Sequence, residues 1–103
     1  MKSYELVCAF RVKEGQDTSG VEAVKKILSD SKATIESEVD MGDRELAYII
    51  DKENRGRYRL FNVELEQTKL PKIENALKLR KEILRYLLVS RENRSIRDKV
   101  DGE

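Results

Sequence analysis

From Tyr4 to Val12 every second residue is apolar or aromatic: Tyr4, Leu6, Cys8, Phe10 and Val12. Side chains alternate sides along an extended chain, so this spacing predicts a first strand with one strongly apolar face. Lys13-Glu14-Gly15-Gln16-Asp17 breaks the alternation, and the spacing then becomes helical. Val21, Val24, Ile27 and Leu28 form one stripe, and Ser19 and Glu22 have the spacing of a capping box. Glu22 and Lys26 can pair one turn apart on the wet side. A helix is therefore predicted from Ser19 to about Ser31-Lys32.

The second strand, about Thr34 to Asp51, changes phase. Ile35, Val39 and Met41 share one parity, whereas Leu46, Tyr48 and Ile50 share the other. A phase change inside a strand requires an extra residue, and Gly42 between the two sets marks a bulge. Ala47 and Ile49 make the second face apolar as well, so this strand is expected to be covered on both sides, by the domain's own core and by a partner. Asp51-Lys52-Glu53-Asn54-Arg55-Gly56 reads as a hairpin loop. The third strand, Arg57 to Leu65, sets Phe61, Val63 and Leu65 on one face and Tyr58, Leu60 and Asn62 on the other.

Thr68 is the expected cap of a second helix with Pro71 in its first turn, where a missing amide costs little. Leu70, Ile73, Ala76 and Leu77 supply its buried stripe. A last strand spans Ile83 to about Ser90. From Arg91 onward the chain is polar, and residues 92–103 read as a tail beyond a domain of residues 1–91.

The order strand, helix, strand, strand, helix, strand points to an α+β fold of the ferredoxin-like split βαβ kind, with a four-stranded antiparallel sheet. Two short helices cover one face of such a sheet. Tyr58, Leu60 and Leu87 then fall on the uncovered face as an apolar patch.

Composition narrows the chemistry. In 103 residues there are 21 basic and 20 acidic side chains, so a role resting on phosphate attraction alone is disfavoured. There is one cysteine and no histidine, which removes an internal disulfide, the usual Cys/His zinc site and a histidine base. Cys8 reads as a small core residue. No segment has the roughly 20 apolar residues of a membrane span, and no signal-peptide pattern opens the chain, which therefore reads as soluble and intracellular. The acidic run Glu36, Glu38, Asp40 reads as solvated carboxylates, and no glycine-rich phosphate loop is present. No cofactor, metal or small-molecule substrate is expected.

The stretch Gly42-x-Arg44-x-Leu46-Ala47-Tyr48-x-Ile50 resembles the signature of the bacterial small-subunit ribosomal protein six family. Tyr4-Glu5, Gly56-x-Tyr58, Val63-Glu64 and the run from Leu79-Arg80 through Ile83-x-Arg85-Tyr86-x-Leu88-Val89 also fit. The similarity covers about residues 1–91. Ile49 replaces a frequent proline and Met41 a frequent aromatic, as in a divergent member. The resemblance implies a non-enzymatic, cytoplasmic, ribosome-associated protein. Its implied partners are small-subunit ribosomal protein eighteen, which is small and basic, and the central domain of the small-subunit ribosomal RNA.

Candidate RNA- or partner-binding residues are Lys2, Arg44, Tyr48, Tyr58, Leu60, Arg80, Lys81, Arg85 and Arg91. Arg44 lies beside the expected bulge, where a side chain can be re-aimed. Arg80, Lys81 and Arg85 cluster before and within the last strand. Arg91, Arg94 and Arg97 recur every third residue. The alternative reading is a stand-alone RRM-like module binding single-stranded RNA. That module stacks bases on aromatics of its third strand, but Tyr58 and Phe61 are three apart and belong on opposite faces.

Overall fold

The computed structural model describes residues 1–91; the tail expected over residues 92–103, with Arg94 and Arg97, lies outside the described residues. The elements are β1 (Lys2–Phe10), α1 (Gln16–Asp30), β2 (Thr34–Ile50), β3 (Glu53–Leu65), α2 (Leu70–Lys78) and β4 (Ile83–Ser90). The strands form one antiparallel sheet in the order β2-β3-β1-β4, the ferredoxin-like arrangement.

Alternation builds the core as expected. Tyr4, Leu6, Cys8 and Phe10 of β1, Phe61, Val63 and Leu65 of β3, and Tyr86 and Leu88 of β4 are buried together with Val24 and Leu28 of α1 and Ile73 and Leu77 of α2. Both helices therefore lie on one face. Burial pushes the Cys8 thiol above its usual range, as befits a packing residue. The Tyr86 hydroxyl donates to Glu74 Oε1 at 2.8 Å, tying β4 to α2.

The helix starts differ from expectation. Helix α1 begins at Gln16 rather than at a Ser19 cap, directly after a left-handed Gly15 (φ +75°). Ser19 lies inside the helix and its hydroxyl donates to the Gln16 carbonyl, so there is no capping box. Lys26 pairs with Asp30, not Glu22. A short 3-10 turn, Gln67–Lys69, takes the place of a Thr68 cap before α2. Gly20 permits close packing of α1, because a Cβ there would lie 2.5 Å from Cδ1 of the fully buried Phe10.

The C-terminus of α1 is a Schellman motif: the Ala33 amide donates to the Leu28 carbonyl and the Lys32 amide to that of Ser29. The left-handed position is occupied by Lys32, at φ +62°. A side chain there costs about 1 kcal/mol relative to glycine. Lys32→Gly is therefore expected to raise the urea midpoint by a corresponding amount, and an unchanged or lower midpoint would contradict this account of the helix end.

The β2–β3 hairpin departs furthest from the sequence reading. Its loop is not 51–56 but the two residues Asp51 and Lys52, both at positive φ (50° and 69°), the geometry of a tight hairpin turn. Arg11 secures this tip: it pairs with Asp51 at 2.7 Å and Glu53 at 3.6 Å, while its Nε donates to the Lys81 carbonyl. The expected bulge is present, with Met41 as the extra residue between Asp40 and Gly42, and Gly42 at φ +88°. A second irregularity, between Ile35 and Ser37, was not foreseen. It puts Val39 opposite Leu60 on the uncovered face, instead of with Ile35 on the core side.

The expectation that the domain's own core covers β2 fails for much of its second half. Pairing of β3 with β1 stops at Phe10↔Arg57, whereas the hairpin continues past it. Leu46 is buried, but Ala47, Tyr48 and Ile49 are exposed, because among the described residues no third strand or helix lies alongside them.

Candidate functional site

The sheet face opposite the helices carries Glu5, Val7 and Ala9 from β1, Tyr58, Leu60, Asn62 and Glu64 from β3, and Arg85, Leu87 and Val89 from β4. This assignment follows from their alternation with the buried set and from the strand register. Leu60 stands between Val7 and Val39, and Val39 is 47% exposed. Val7, Ala9, Tyr58, Arg85, Tyr86 and Leu87 line a recess of about 180 Å³. An apolar centre with a ready recess, left open by the fold, has the anatomy of a protein interface.

The other side of the hairpin is self-neutralised. Arg55 pairs with Asp43 (3.1 Å), Arg57 with Asp40 (2.6 Å) and Arg59 with Glu38 (2.9 Å), and Lys25 of α1 also reaches Glu38 at 2.7 Å. These ion pairs, with Arg91–Glu36 at 2.9 Å, occupy the whole acidic run. Among the described residues no group of acidic or cysteine side chains is arranged to hold a metal ion.

The Lys25 ammonium, and then Arg59, hold the Glu38 carboxyl below its usual range; Arg57 and the Gly42 amide do the same for Asp40. A carboxyl whose folded pKa is depressed binds protons more readily when unfolded. Its stabilising contribution is present at neutral pH and is lost as pH falls through the unfolded and then the folded pKa, from about 5 downward. The urea midpoint is accordingly expected to fall between pH 6 and pH 3, and to fall less in Glu38→Gln. Equal losses in both proteins would show that the ladder does not contribute.

Arg44 differs from the other hairpin arginines. It lies opposite Gly56, whose neighbours Ala9 and Leu84 place it on the helix-free side. Its Nε donates to the Met41 carbonyl in the bulge, and it pairs with no carboxylate among the described residues. The bulge thus aims the side chain and leaves its charge uncompensated. Arg85 projects from β4 over the ring of Tyr48, 5.6 Å from its centroid, a cation–π contact that joins two candidates far apart in sequence.

The remaining candidates separate. Tyr58 and Leu60 are half-buried on the open face. Lys2 and Lys81 are exposed and without a carboxylate partner among the described residues. Arg80 is held by both oxygens of Glu82, and Arg91 by Glu36, so each is already engaged within the chain. Phe61 is fully buried while Tyr58 lies on the open face, so the two form no stacking platform of the RRM type. Among the described residues no helix is long and apolar enough to cross a membrane. Sequence reading missed the acidic pair Glu5 and Glu64 on the open face, although the strand alternation that put Leu60 and Asn62 there also signals Glu64.

A family model described as Ribosomal protein S6 matches residues 3–90. The chain belongs to the ribosomal protein S6 family. It is 41% identical over 93 residues to small ribosomal subunit protein bS6 of Treponema denticola, covering 90% of this chain and all of that one. It is 39% identical over 89 residues to the bS6 of Treponema pallidum strain Nichols, covering 86% and 96%. A crystal structure of 30S ribosomal protein S6 from Thermotoga maritima superposes with a TM-score of 0.79 at 30% identity, covering 88% of each chain. As an S6 family member the chain is a structural, non-enzymatic ribosomal protein, associated with the ribosome and its RNA in the cytoplasm.

Proposed function

We propose that this S6 family protein pairs through its helix-free sheet face with small-subunit ribosomal protein eighteen, and that the pair binds the central domain of the small-subunit ribosomal RNA. Residues 1–91 are the binding unit and residues 92–103 an extension. The observation that carries the reading is the division of labour across the sheet. One side is closed by helices and a neutralised charge ladder, whereas the other has an apolar centre and the uncompensated Arg44. With a net charge of +1 the chain has little phosphate attraction of its own, so a basic partner supplies most of it. Arg44 adds a positioning contact to phosphate, and Lys2, Lys81 and the Arg85–Tyr48 pair flank the apolar centre or its strand ends.

Mixing the purified chain with protein eighteen is expected to give a one-to-one complex by sedimentation, and RNA binding far tighter for the pair than for either protein alone. Two independently sedimenting species would refute the pairing. Tight binding of short single strands by this chain alone would favour the RRM-like alternative.

A further inference from the structure

We infer that the hairpin end of β2 holds a stacking site for one unpaired RNA base, on the face of the Tyr48 ring turned away from Arg85, with Arg44 taking a phosphate of the same strand. The inference rests on the RNA-binding role proposed above and adds the place and chemistry of one contact.

Tyr48 stands where the β2–β3 ladder is interrupted. Between the pairs Glu45–Arg55 and Ile50–Glu53, residues 46–49 of β2 face Asn54 alone, so the chain bulges there. A bulge of this kind re-aims side chains that a regular strand would fix. The Tyr48 ring is consequently turned across the sheet, to lie over the Arg85 guanidinium of β4 at 5.6 Å. With one face over Arg85, an exposure of 58% leaves the other face to solvent. The cation–π contact holds the ring in a defined orientation, so less freedom is lost when a ligand stacks on it.

Arg44 lies on the same side of the sheet, four residues along β2 and so at most about 13 Å away. The carboxylates of the hairpin do not cancel its charge. Asp43 pairs with Arg55, Asp51 and Glu53 pair with Arg11, and Glu45 stands opposite Arg55 on the other side of β2. An aromatic face beside a guanidinium suits a single-stranded nucleotide segment, which offers a base to the first and a phosphate to the second. A basic protein gains nothing from two arginines at this end, so the charges favour RNA here and leave the apolar centre to the protein partner.

Binding of a central-domain fragment of small-subunit ribosomal RNA to the preformed complex of the full chain with protein eighteen tests this. Tyr48→Ala is expected to weaken RNA binding about 5- to 150-fold, the range for losing one base–aromatic stack. Tyr48→Leu, which keeps apolar bulk but has no π face, is expected to lose nearly as much, and Tyr48→Phe to stay within about twofold of wild type. Salt dependence is expected to be unchanged in all three, because no charge is removed. Circular dichroism checks the fold, and calorimetry is expected to show unchanged affinity for protein eighteen. If the wild-type pair binds the RNA and Tyr48→Ala binds it equally well, the stacking site is absent and the composite surface stands. If Tyr48→Leu matches wild type while Tyr48→Ala does not, the ring is an apolar contact only and the inference fails. Lost affinity for protein eighteen, with RNA binding by the formed pair unchanged, would assign the ring to the protein partner and overturn it. No RNA binding by the wild-type pair would bring down the composite surface and the stacking site together.

Discussion

Phe61→Ala is expected to lower the free energy of unfolding by about 3–5 kcal/mol, the usual cost of emptying a buried phenylalanine site. Phe61 is fully buried on a central strand, opposite Leu6 and within the cluster that both helices share with the sheet. Strands paired on either side hold β3 in place, so the surroundings have little room to collapse into the space left behind. Against a total of about 5–15 kcal/mol for a domain, such a loss leaves a visible unfolded fraction near 37 °C. Urea denaturation followed by circular dichroism measures it. Leu79→Ala is the matched control: Leu79 is 82% exposed, and its loss is expected to change stability by less than about 0.5 kcal/mol. A Phe61→Ala cost below about 1 kcal/mol would mean that the core is not organised as described.

Arg44→Ala is expected to weaken RNA binding by the protein pair about 10- to 100-fold, the range for losing a hydrogen bond to a charged group. Stability should change by less than about 0.5 kcal/mol, because the side chain is exposed and among the described residues makes one hydrogen bond, to the Met41 carbonyl. Lysine at this position should recover much of the affinity, since a point charge serves a phosphate contact even where the planar fork is lost. The salt dependence of RNA binding should fall by about one released counterion. By contrast, Arg57→Ala removes a charge already neutralised by Asp40, and should act on hairpin stability rather than on RNA. Unchanged RNA affinity in Arg44→Ala would remove this residue from the binding surface.

The four strands, two helices and their order were legible because each segment carries an unambiguous hydrophobic period. Once Tyr4, Leu6, Cys8 and Phe10 alternate and Val24 and Leu28 sit one helical turn apart, the buried faces follow. The open sheet face followed too, from counting helices against strands. The Gly42 bulge was visible because a phase change leaves a mark on either side of the extra residue. The irregularity after Ile35 left none, since Glu36, Glu38 and Asp40 are polar whichever way they point. Gly20 reads in sequence only as a weak helix residue, and its contact with Phe10 exists only once α1 is laid on the sheet.

Sequence alone therefore determined the architecture of this protein, its core and the sheet face that the helices leave open, because burying apolar surface on one side is the dominant demand on each element. Tertiary structure alone decided which charges are available. Arg55, Arg57, Arg59, Arg80 and Arg91 look equivalent to Arg44 along the chain, yet strand register and turn geometry bring a carboxylate to each of them and, among the described residues, only a carbonyl to Arg44. Apart from Arg80, whose partner Glu82 is two residues away, these ion pairs join residues remote in sequence, and their distances are set by how β2, β3 and β4 are placed rather than by any local pattern.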